Sequence, residues 1–520
     1  MLKTCPSILA YDLFFKDRLC ATSWARLKTA GRSGGIVIEC FQRMNDVPEL
    51  GLRKLRKHSL YRINPKGRPS SVMIEDSTGN RVAYDIPVEI PQGADLILES
   101  NMVPLTAYFL KLWPQVLGGL VNALIPETGE RIPYRVDVDR KRLRSNLGEA
   151  FSLDEGGIVS GVSYGDSQFK VRRCYRPCPS WNTSSWKSRM AYSSPLGLRV
   201  KDILLSSGGR KVDATLVRPG SSRPTMAAGV FIGGSGVHSR HGFVQGIDLG
   251  YHQLLDGLAA KGLASVRFER FERGVGNLAR AEERLDFQTL CDQAGIWLKW
   301  LDDQAWSTSL PRVVLGHSLG GLVALALSAK SQDIACAVVI NTPGRSFRRI
   351  LEFQHSWLMN VLSQPARSRR ESNELHKSLL SALQGEAPWQ DSGLDPRLLA
   401  IKRRFRLYKS LLDLDPLELV RMGSCPLLIV QAGQDVQVEP EDADRLKDAA
   451  TSAGRMVRLL KPEGLDHLLK RNAAQGLDNV RAYADRKRRI PKSIIQDMAK
   501  EMVLLASQGQ AFHPTTQPQS

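Results

Sequence analysis

The sequence predicts an α/β chain: a mostly parallel sheet with helices on both faces and a helical cap insertion, preceded by a smaller mixed α/β domain. Three observations lead there. Short apolar, β-branched runs (AAGVFI, PRVVLGH, IACAVVI, PLLIV) alternate with longer amphipathic ones (YHQLLDGLAAKG, EDADRLKDAATSAG), the pattern of strands buried on both faces between covering helices. The stretch 345–421, between two such strands, is too long for a loop and carries apolar residues at helical spacing, as in SWLMNVL and ELHKSLLSALQG. At 520 residues the chain also exceeds what one core usually supports, so a second domain is expected.

The expected division is an N-terminal domain over 1–178, a Ser/Pro/Trp-rich linker over 179–195, the α/β domain over 196–507 with its cap at about 345–421, and a disordered tail over 508–520. Within the first part, SVMIEDSTGNRVAYDIPVEI has the alternation and Thr-Gly-Asn turn of a β-hairpin, and RIPYRVDVD reads as a further strand. LGLRKLRKHSLYR mixes apolar helical spacing with basic residues. The most apolar stretch, Val103 to Pro126, is interrupted by Lys111, Pro114, Gln115 and Asn122, so it reads as a buried helix or helix pair and not as a membrane span. Association with a membrane surface stays open.

Hydrophobic residues make up 42% and charged residues 24%, as in soluble globular proteins. Asp12 and Lys16 break the apolar start, which argues against a signal peptide and for a cytoplasmic chain. The eight cysteines are scattered; Cys174 and Cys178 have no second pair at metal-site spacing, so neither a zinc site nor any other metal or cofactor is expected.

The chemistry-bearing motif is VVLGHSLGGLVAL, Val313 to Leu325. A strand runs into a helix through Gly-His-Ser-Leu-Gly, and Gly316 and Gly320, without Cβ atoms, let the backbone bend sharply around His317 and hold Ser318 at the tip. A serine hydroxyl needs a base, and the base needs an orienting acid. PLLIVQAGQDVQV places Asp435 just past a strand and turn, and MVRLLKPEGLDHLLKR places His467 in the loop after the next strand. The order Ser, Asp, His with each residue at a strand's C-terminal end makes Ser318, Asp435 and His467 the expected triad. Asp466 and Glu439 are the alternatives for the acid, since the loop INTPGRS carries no carboxylate.

An oxyanion needs backbone donors. One is expected from Leu319, directly after the nucleophile, and another from Ser235 or Gly236 in the loop GGSG (Gly233 to Gly236) that follows the strand AAGVFI. His238 and His241 lie just beyond and are candidate pocket residues.

From about Leu196 to Leu505 the chain resembles bacterial carboxylesterases of the α/β-hydrolase superfamily, related to its dienelactone-hydrolase and serine-peptidase branches. The resemblance rests on DILLSSGGRKVDATLVRP, VFIGGSG, YHQLLDGLAAKGLASVRFERFERGVGN, GHSLGG, QAGQD, LDHLLKR and RIPKSIIQDMAKEMV. It implies a Ser-His-Asp hydrolase acting through an acyl-enzyme without a cofactor, and a cap in the position that selects substrate. The chain departs from the group at Asn277, where a serine is usual, and in its longer, more charged Glu269 to Glu272 segment.

Between Arg345 and Lys409 the cap carries thirteen Lys or Arg against six Asp or Glu, and the whole chain has a net charge of +19. A solvated helix face accounts for such a run; guidance of an acidic partner, through Arg369, Arg370, Arg403 and Arg404, is the sharper expectation. The substrate expected first is a small-molecule carboxyl ester, then an acyl-coenzyme A or acidic carrier-protein thioester, with hydrolysis or acyl transfer, and third a peptide. Nucleic-acid binding as the main function is disfavoured: no recognition motif is present, and the aromatics do not interleave with the basic runs.

Overall fold

The computed structural model describes residues 8–30, 35–45, 55–64, 68–76, 81–85, 96–97, 102–112, 117, 121–125, 130–139, 142–145, 149–155, 157–164, 169–177, 192–207, 210–244, 247–273, 278–361, 366–386, 404–485 and 487–512. They form two compact units, one essentially within Met1–Ala191 and the other within Tyr192–Ser520.

Beside a three-stranded sheet of Leu96–Ile97, Val121–Ile125 and Glu130–Tyr134, the first unit has an antiparallel sheet of 11 strands among the described residues. Val136–Asp139 and Arg81–Asp85 are the edges of the larger sheet, and Ile8–Phe15 pairs with both Phe169–Cys174 and Arg18–Ala30 at its centre. The helix Val103–Leu112 packs on the sheet, with Tyr108 Oη donating to the Ala25 carbonyl at 3.4 Å. The unit holds both helix and sheet, with the sheet dominant and one described ten-residue helix. The hairpin expected around the Thr-Gly-Asn turn is present as Pro69–Asp76 paired with Arg81–Asp85. LRKHSLYRI, which had helical spacing, is instead a strand, Leu55–Ile63, because its backbone finds partners in Gly35–Met44 and Pro69–Asp76 on either side. RIPYRVDVD contributes to two strands, Glu130–Tyr134 and Val136–Asp139. Within the apolar stretch the expected buried helix is present as Val103–Leu112, and Val121–Ile125 is a strand in place of a second helix. No helix among the described residues is long and apolar enough to cross a membrane.

The second unit has an eight-stranded sheet built from β1 (Arg199–Ser207), β2 (Arg210–Arg218), β3 (Ala227–Ile232), β4 (Leu263–Phe268), β5 (Arg312–His317), β6 (Ile334–Ile340), β7 (Leu427–Val430) and β8 (Val457–Leu460). Its order is β1-β2-β4-β3-β5-β6-β7-β8. The β1–β2 and β2–β4 pairs are antiparallel and the rest parallel. Alternation along each parallel strand divides the core in two. Phe231, Val313, Leu315, Val338 and Leu428 face helices α1 (Tyr251–Ala259) and α9 (Lys492–Phe512), while Ile232, Val314, Val339 and Ile429 face α2 (Phe287–Asp302), α3 (Leu319–Lys330) and α8 (Glu441–Ser452). Burial on both faces explains why these strands are continuous apolar runs.

The cap comprises α4 (Phe347–Val361), α5 (Ala366–Gln384), α6 (Phe405–Leu412) and α7 (Pro416–Met422). Its helices join the unit through polar anchors: Ser410 Oγ accepts from Phe287 N at 2.8 Å, and Arg406 pairs with Asp286 at 2.6 Å. Arg345 pairs with Asp442 at 2.7 Å and with Glu439. Cap residues 387–403, including Arg403, lie outside the described residues, as do Asn277, Cys178 and most of the expected linker. The closing helix runs to Phe512, so the part of the expected tail from 508 to 512 is helical, and residues 513–520 lie outside the described ones.

Gly509 in α9 lies so close to β6 that a Cβ there would stand 1.9 Å from the Ala335 carbonyl oxygen. Helix propensity alone favours Gly509→Ala by about 1 kcal/mol. The backbone clash should dominate and reverse the sign, costing about 1–3 kcal/mol and lowering Tm by several degrees. Calorimetry checks this, and a rise in Tm would show that α9 can shift off the sheet.

Candidate active site

Parallel strands that end together place their following loops at one edge of the sheet. The loops after β3, β5, β7 and β8 carry the GGSG segment, Ser318, Asp435 and His467 respectively. Ser318 takes φ 55° and ψ −121°, a conformation a side chain rarely adopts, and it is held there by its N–H on the Ile340 carbonyl at 2.8 Å. The flanking glycines are sterically required: a Cβ on Gly316 would stand 2.0 Å from the Gly320 carbonyl oxygen, and one on Gly320 would stand 2.1 Å from that of Ile232. The bend leaves Ser318 half-buried at the start of α3, with Leu319 as the first helical residue. Among the described residues the Ser318 hydroxyl forms no hydrogen bond to His467, a contact that often tightens only when substrate binds.

Asp435 and His467 are brought together. His467 Nδ1 lies 2.7 Å from Asp435 Oδ2, and both residues are buried. Asp435 Oδ1 accepts from the N–H groups of Gln437 at 2.8 Å and Val438 at 3.1 Å, which hold the carboxylate in place. The two alternative acids are engaged elsewhere. Asp466 accepts from Leu468 N, Lys470 N and Asn472 Nδ2 and pairs with Arg488, so it shapes the turn that carries His467. Glu439 is paired with Arg345.

Three residues not singled out as functional from sequence alone tie the loops together. Asn341, buried at the end of β6, donates through Nδ2 to the His467 carbonyl at 2.8 Å and accepts at Oδ1 from Ala432 N at 2.8 Å. Tyr251 is the second. Its oxygen accepts from Gly234 N at 2.9 Å, and the same hydroxyl lies 3.1 Å from His317 Nδ1. His317 Nε2 is 2.8 Å from the His467 carbonyl, which can only accept, so Nε2 carries the proton and Nδ1 receives the one from Tyr251. Burial, with His467 adding to it, pushes His317 down to about 3 and keeps it neutral, while burial pushes Tyr251 up to about 12. The third is Arg270: Nη2 donates to the carbonyls of Gly234 at 2.6 Å and Gly233 at 3.1 Å, and Nη1 to that of Gly236 at 2.7 Å. Burial lowers Arg270 to about 10, still cationic at neutral pH. A Tyr at the head of a helix and an Arg after a strand are common, and only their reach into the GGSG loop distinguishes them.

The GGSG loop packs on the elbow: a Cβ on Gly234 would stand 3.3 Å from Ser318 Cβ. Gly234 N–H is taken by Tyr251, which leaves Ser235 and Gly236 as the candidate donors beside Leu319. Gly236 has φ 92°, and Arg404 Nη2 would lie 3.6 Å from a Cβ placed on it. His238 lines a cavity with Arg240, Arg267, Arg270 and Gln293, its ring nitrogens 3.1 Å from the Gly234 and Ser239 carbonyls. His241 stacks on Tyr192 at 4.2 Å. Among the described residues no group of His, Cys, Asp or Glu has the arrangement of a metal site.

Residues 237–469 match the family model for serine aminopeptidases (S33). Solved structures similar to the chain include Est1E from Butyrivibrio proteoclasticus, 14% identical over 59% of this chain and 99% of its own, with a TM-score of 0.37. A dienelactone hydrolase from Anabaena variabilis is 14% identical over 60% of this chain and 98% of its own (TM-score 0.35). The esterase Pf2001 from Pyrococcus furiosus is 15% identical over 65% and 95% (TM-score 0.35). No sequence match was found among curated proteins.

Burial holds His238, His241 and His317 at about 4, 3 and 3, against 6.5 for the free side chain. Unfolding therefore takes up protons below pH 6.5, so the stability these neutral histidines confer is full above 6.5 and is lost as pH falls towards 4. Tm measured from about pH 7.5 to 4.5 should decline, and more shallowly in a His241→Gln, His317→Gln double variant. An unchanged slope in that variant would assign the acid sensitivity to other groups.

Proposed function

We propose that the second unit, a serine hydrolase of the α/β-hydrolase superfamily, is a carboxylesterase that cleaves a small acyl ester through an acyl-enzyme on Ser318. The observation that carries the reading is the buried 2.7 Å pair of His467 Nδ1 and Asp435 Oδ2, with the His467 ring 4.7 Å from that of His317, the residue before Ser318. Asp435 keeps the proton on Nδ1, so Nε2 is free to take the Ser318 proton as Oγ forms its bond to the ester carbonyl carbon. The negative oxygen is received by Leu319 N–H, at the positive end of α3, and by Ser235 or Gly236 N–H. Collapse of this intermediate breaks the bond to the alcohol, which leaves with the proton from His467. Water then attacks the acyl-enzyme by the same route, and Ser318 recovers its proton.

An acyl-coenzyme A or carrier-protein thioester is the second reading, with water or another nucleophile as acceptor. A peptide is the third, although the matching family is named for aminopeptidases. An aminopeptidase must seat an ammonium group, and the charged side chains that reach the GGSG loop directly include Arg270, which donates to its carbonyls, and Arg404, beside Gly236, both cationic. Those arginines suit a substrate with a negative group near the scissile bond. Arg369 donates to the Met359 carbonyl, Arg370 is an exposed partner of Glu374 and Arg404 pairs with Glu282 at 2.9 Å, so all three are engaged; Arg404 is the candidate for guidance because its Nη2 also lies beside Gly236. A cytoplasmic site of action fits reduced, scattered cysteines.

Ser318→Ala should abolish labelling by a fluorophosphonate probe and cut ester turnover by about 10⁴-fold or more, with His467→Ala comparable and Asp435→Asn less severe. Labelling at full stoichiometry in Ser318→Ala would sink the nucleophile assignment. A silent Asp435→Asn beside a severe Asp466→Asn or Glu439→Gln would move the acid.

Arg404→Gln should raise KM for acyl-coenzyme A or a carboxylate-bearing ester while leaving a small neutral ester nearly unaffected. Added salt should act in the same direction, because screening at about 0.15 M shortens the reach of exposed charge to about 8 Å. Steady-state kinetics on matched charged and neutral esters checks this, and equal losses on both would mean damaged packing of the cap.

A further inference from the structure

We propose that Arg270 is a positioning residue of the oxyanion loop: by gripping the Gly234 carbonyl it aims and polarises the N–H of Ser235 toward the oxygen that becomes negative. The proposal rests on the serine-esterase reading. In a trans peptide the C=O and the following N–H point in opposite directions. The loop displays this once already, since Gly233 O accepts from Arg270 at 3.1 Å while the N–H of the same peptide, on Gly234, turns to Tyr251 at 2.9 Å. The next peptide repeats it. Gly234 O accepts from Arg270 at 2.6 Å and lies 3.1 Å from His238 Nε2, so the Ser235 N–H faces away from both. A hydrogen bond from a cation to the carbonyl draws electron density from the peptide nitrogen, and bonds in such a chain strengthen one another.

Arg270 is also committed to the loop and not to a carboxylate partner of its own. Arg240 pairs with Glu269, Arg267 with Asp256 and Arg404 with Glu282, whereas no salt bridge to Arg270 is formed among the described residues. Its three bonds all end on carbonyl oxygens of the loop. A cation fixed against the loop before substrate arrives stabilises negative charge forming nearby more than it stabilises a neutral ester, even with the Glu282 carboxylate near enough to offset part of its field. Lysine supplies the charge but not the planar fork that spans three carbonyls.

The test compares Arg270→Met and Arg270→Lys with wild type, using p-nitrophenyl acetate turnover and an aryl trifluoromethyl ketone labelled with ¹³C at its carbonyl. Loss of one oxyanion donor costs about 10²–10³ in kcat, so Arg270→Met should fall by that order with KM within about threefold, and Arg270→Lys should lie between. The hemiketal formed on Ser318 should ionise at a higher pH in Arg270→Met than in wild type, a shift in the ¹³C titration that misfolding alone does not produce. Equal kcat and equal hemiketal titration in folded, fully labelled Arg270→Met overturn the proposal. So does a fall in kcat that merely tracks lost folded protein in both variants. Failure of wild-type Ser318 to react with a fluorophosphonate overturns the esterase reading itself, which is a different result.

Discussion

The carbonyl oxygen of His467 receives two hydrogen bonds, from His317 Nε2 and Asn341 Nδ2, each at 2.8 Å. Through them one peptide group is tied to the elbow after β5, to the end of β6 and, because Asn341 also accepts from Ala432 N, to the loop that carries Asp435. The imidazole of His467 is thus located from two directions, by its own backbone and by Asp435 at Nδ1. Tyr251 extends the chain of bonds to Gly234, so His467 and the GGSG loop share one continuous polar network. Such networks are worth most when every member is satisfied, and each group along this path has its partner.

The network requires a neutral His317. A protonated ring would present Nδ1–H to the Tyr251 hydroxyl, which would turn its own proton away and compete for the oxygen that receives Gly234 N–H. Burial enforces neutrality by penalising the charged form. On the far side of the loop a cation is retained instead: Arg270 remains charged because three carbonyl oxygens take the place of water around its guanidinium. The GGSG segment is therefore held between a neutral hydroxyl–imidazole pair and a cation. The absence of side chains at Gly233 and Gly234 is what allows it: a Cβ would meet His238 at 2.4 Å at the first and His317 at 3.1 Å at the second.

The cap is anchored differently. Arg345 reaches Asp442 and Glu439 in the segment after the Asp435 turn, and Arg406 and Arg404 reach Asp286 and Glu282. Much of the basic run that stands out in the sequence thus fastens the cap helices, with Arg370 paired on the exposed face.

Chain order and local pattern alone carried the α/β unit: the alternation of buried strands and amphipathic helices, the Gly-His-Ser-Leu-Gly bend that forces Ser318 to φ 55°, and the positions of Asp435 and His467 after their strands. These are local demands, since a backbone that must bend within five residues leaves few amino acids to choose from. The first unit was less legible. In LRKHSLYRI the spacing of leucines suits a helix, but the hydrogen bonds that decide for a strand come from segments distant in sequence, and antiparallel pairing wins once both neighbours are in place. The same separation hid Tyr251, Asn341 and Arg270, whose partners lie 17, 126 and 36 residues away. A polar side chain declares its role only when folding removes water and leaves one partner within reach. The sequence determined which residues could do chemistry; the tertiary structure decided which of them are held still.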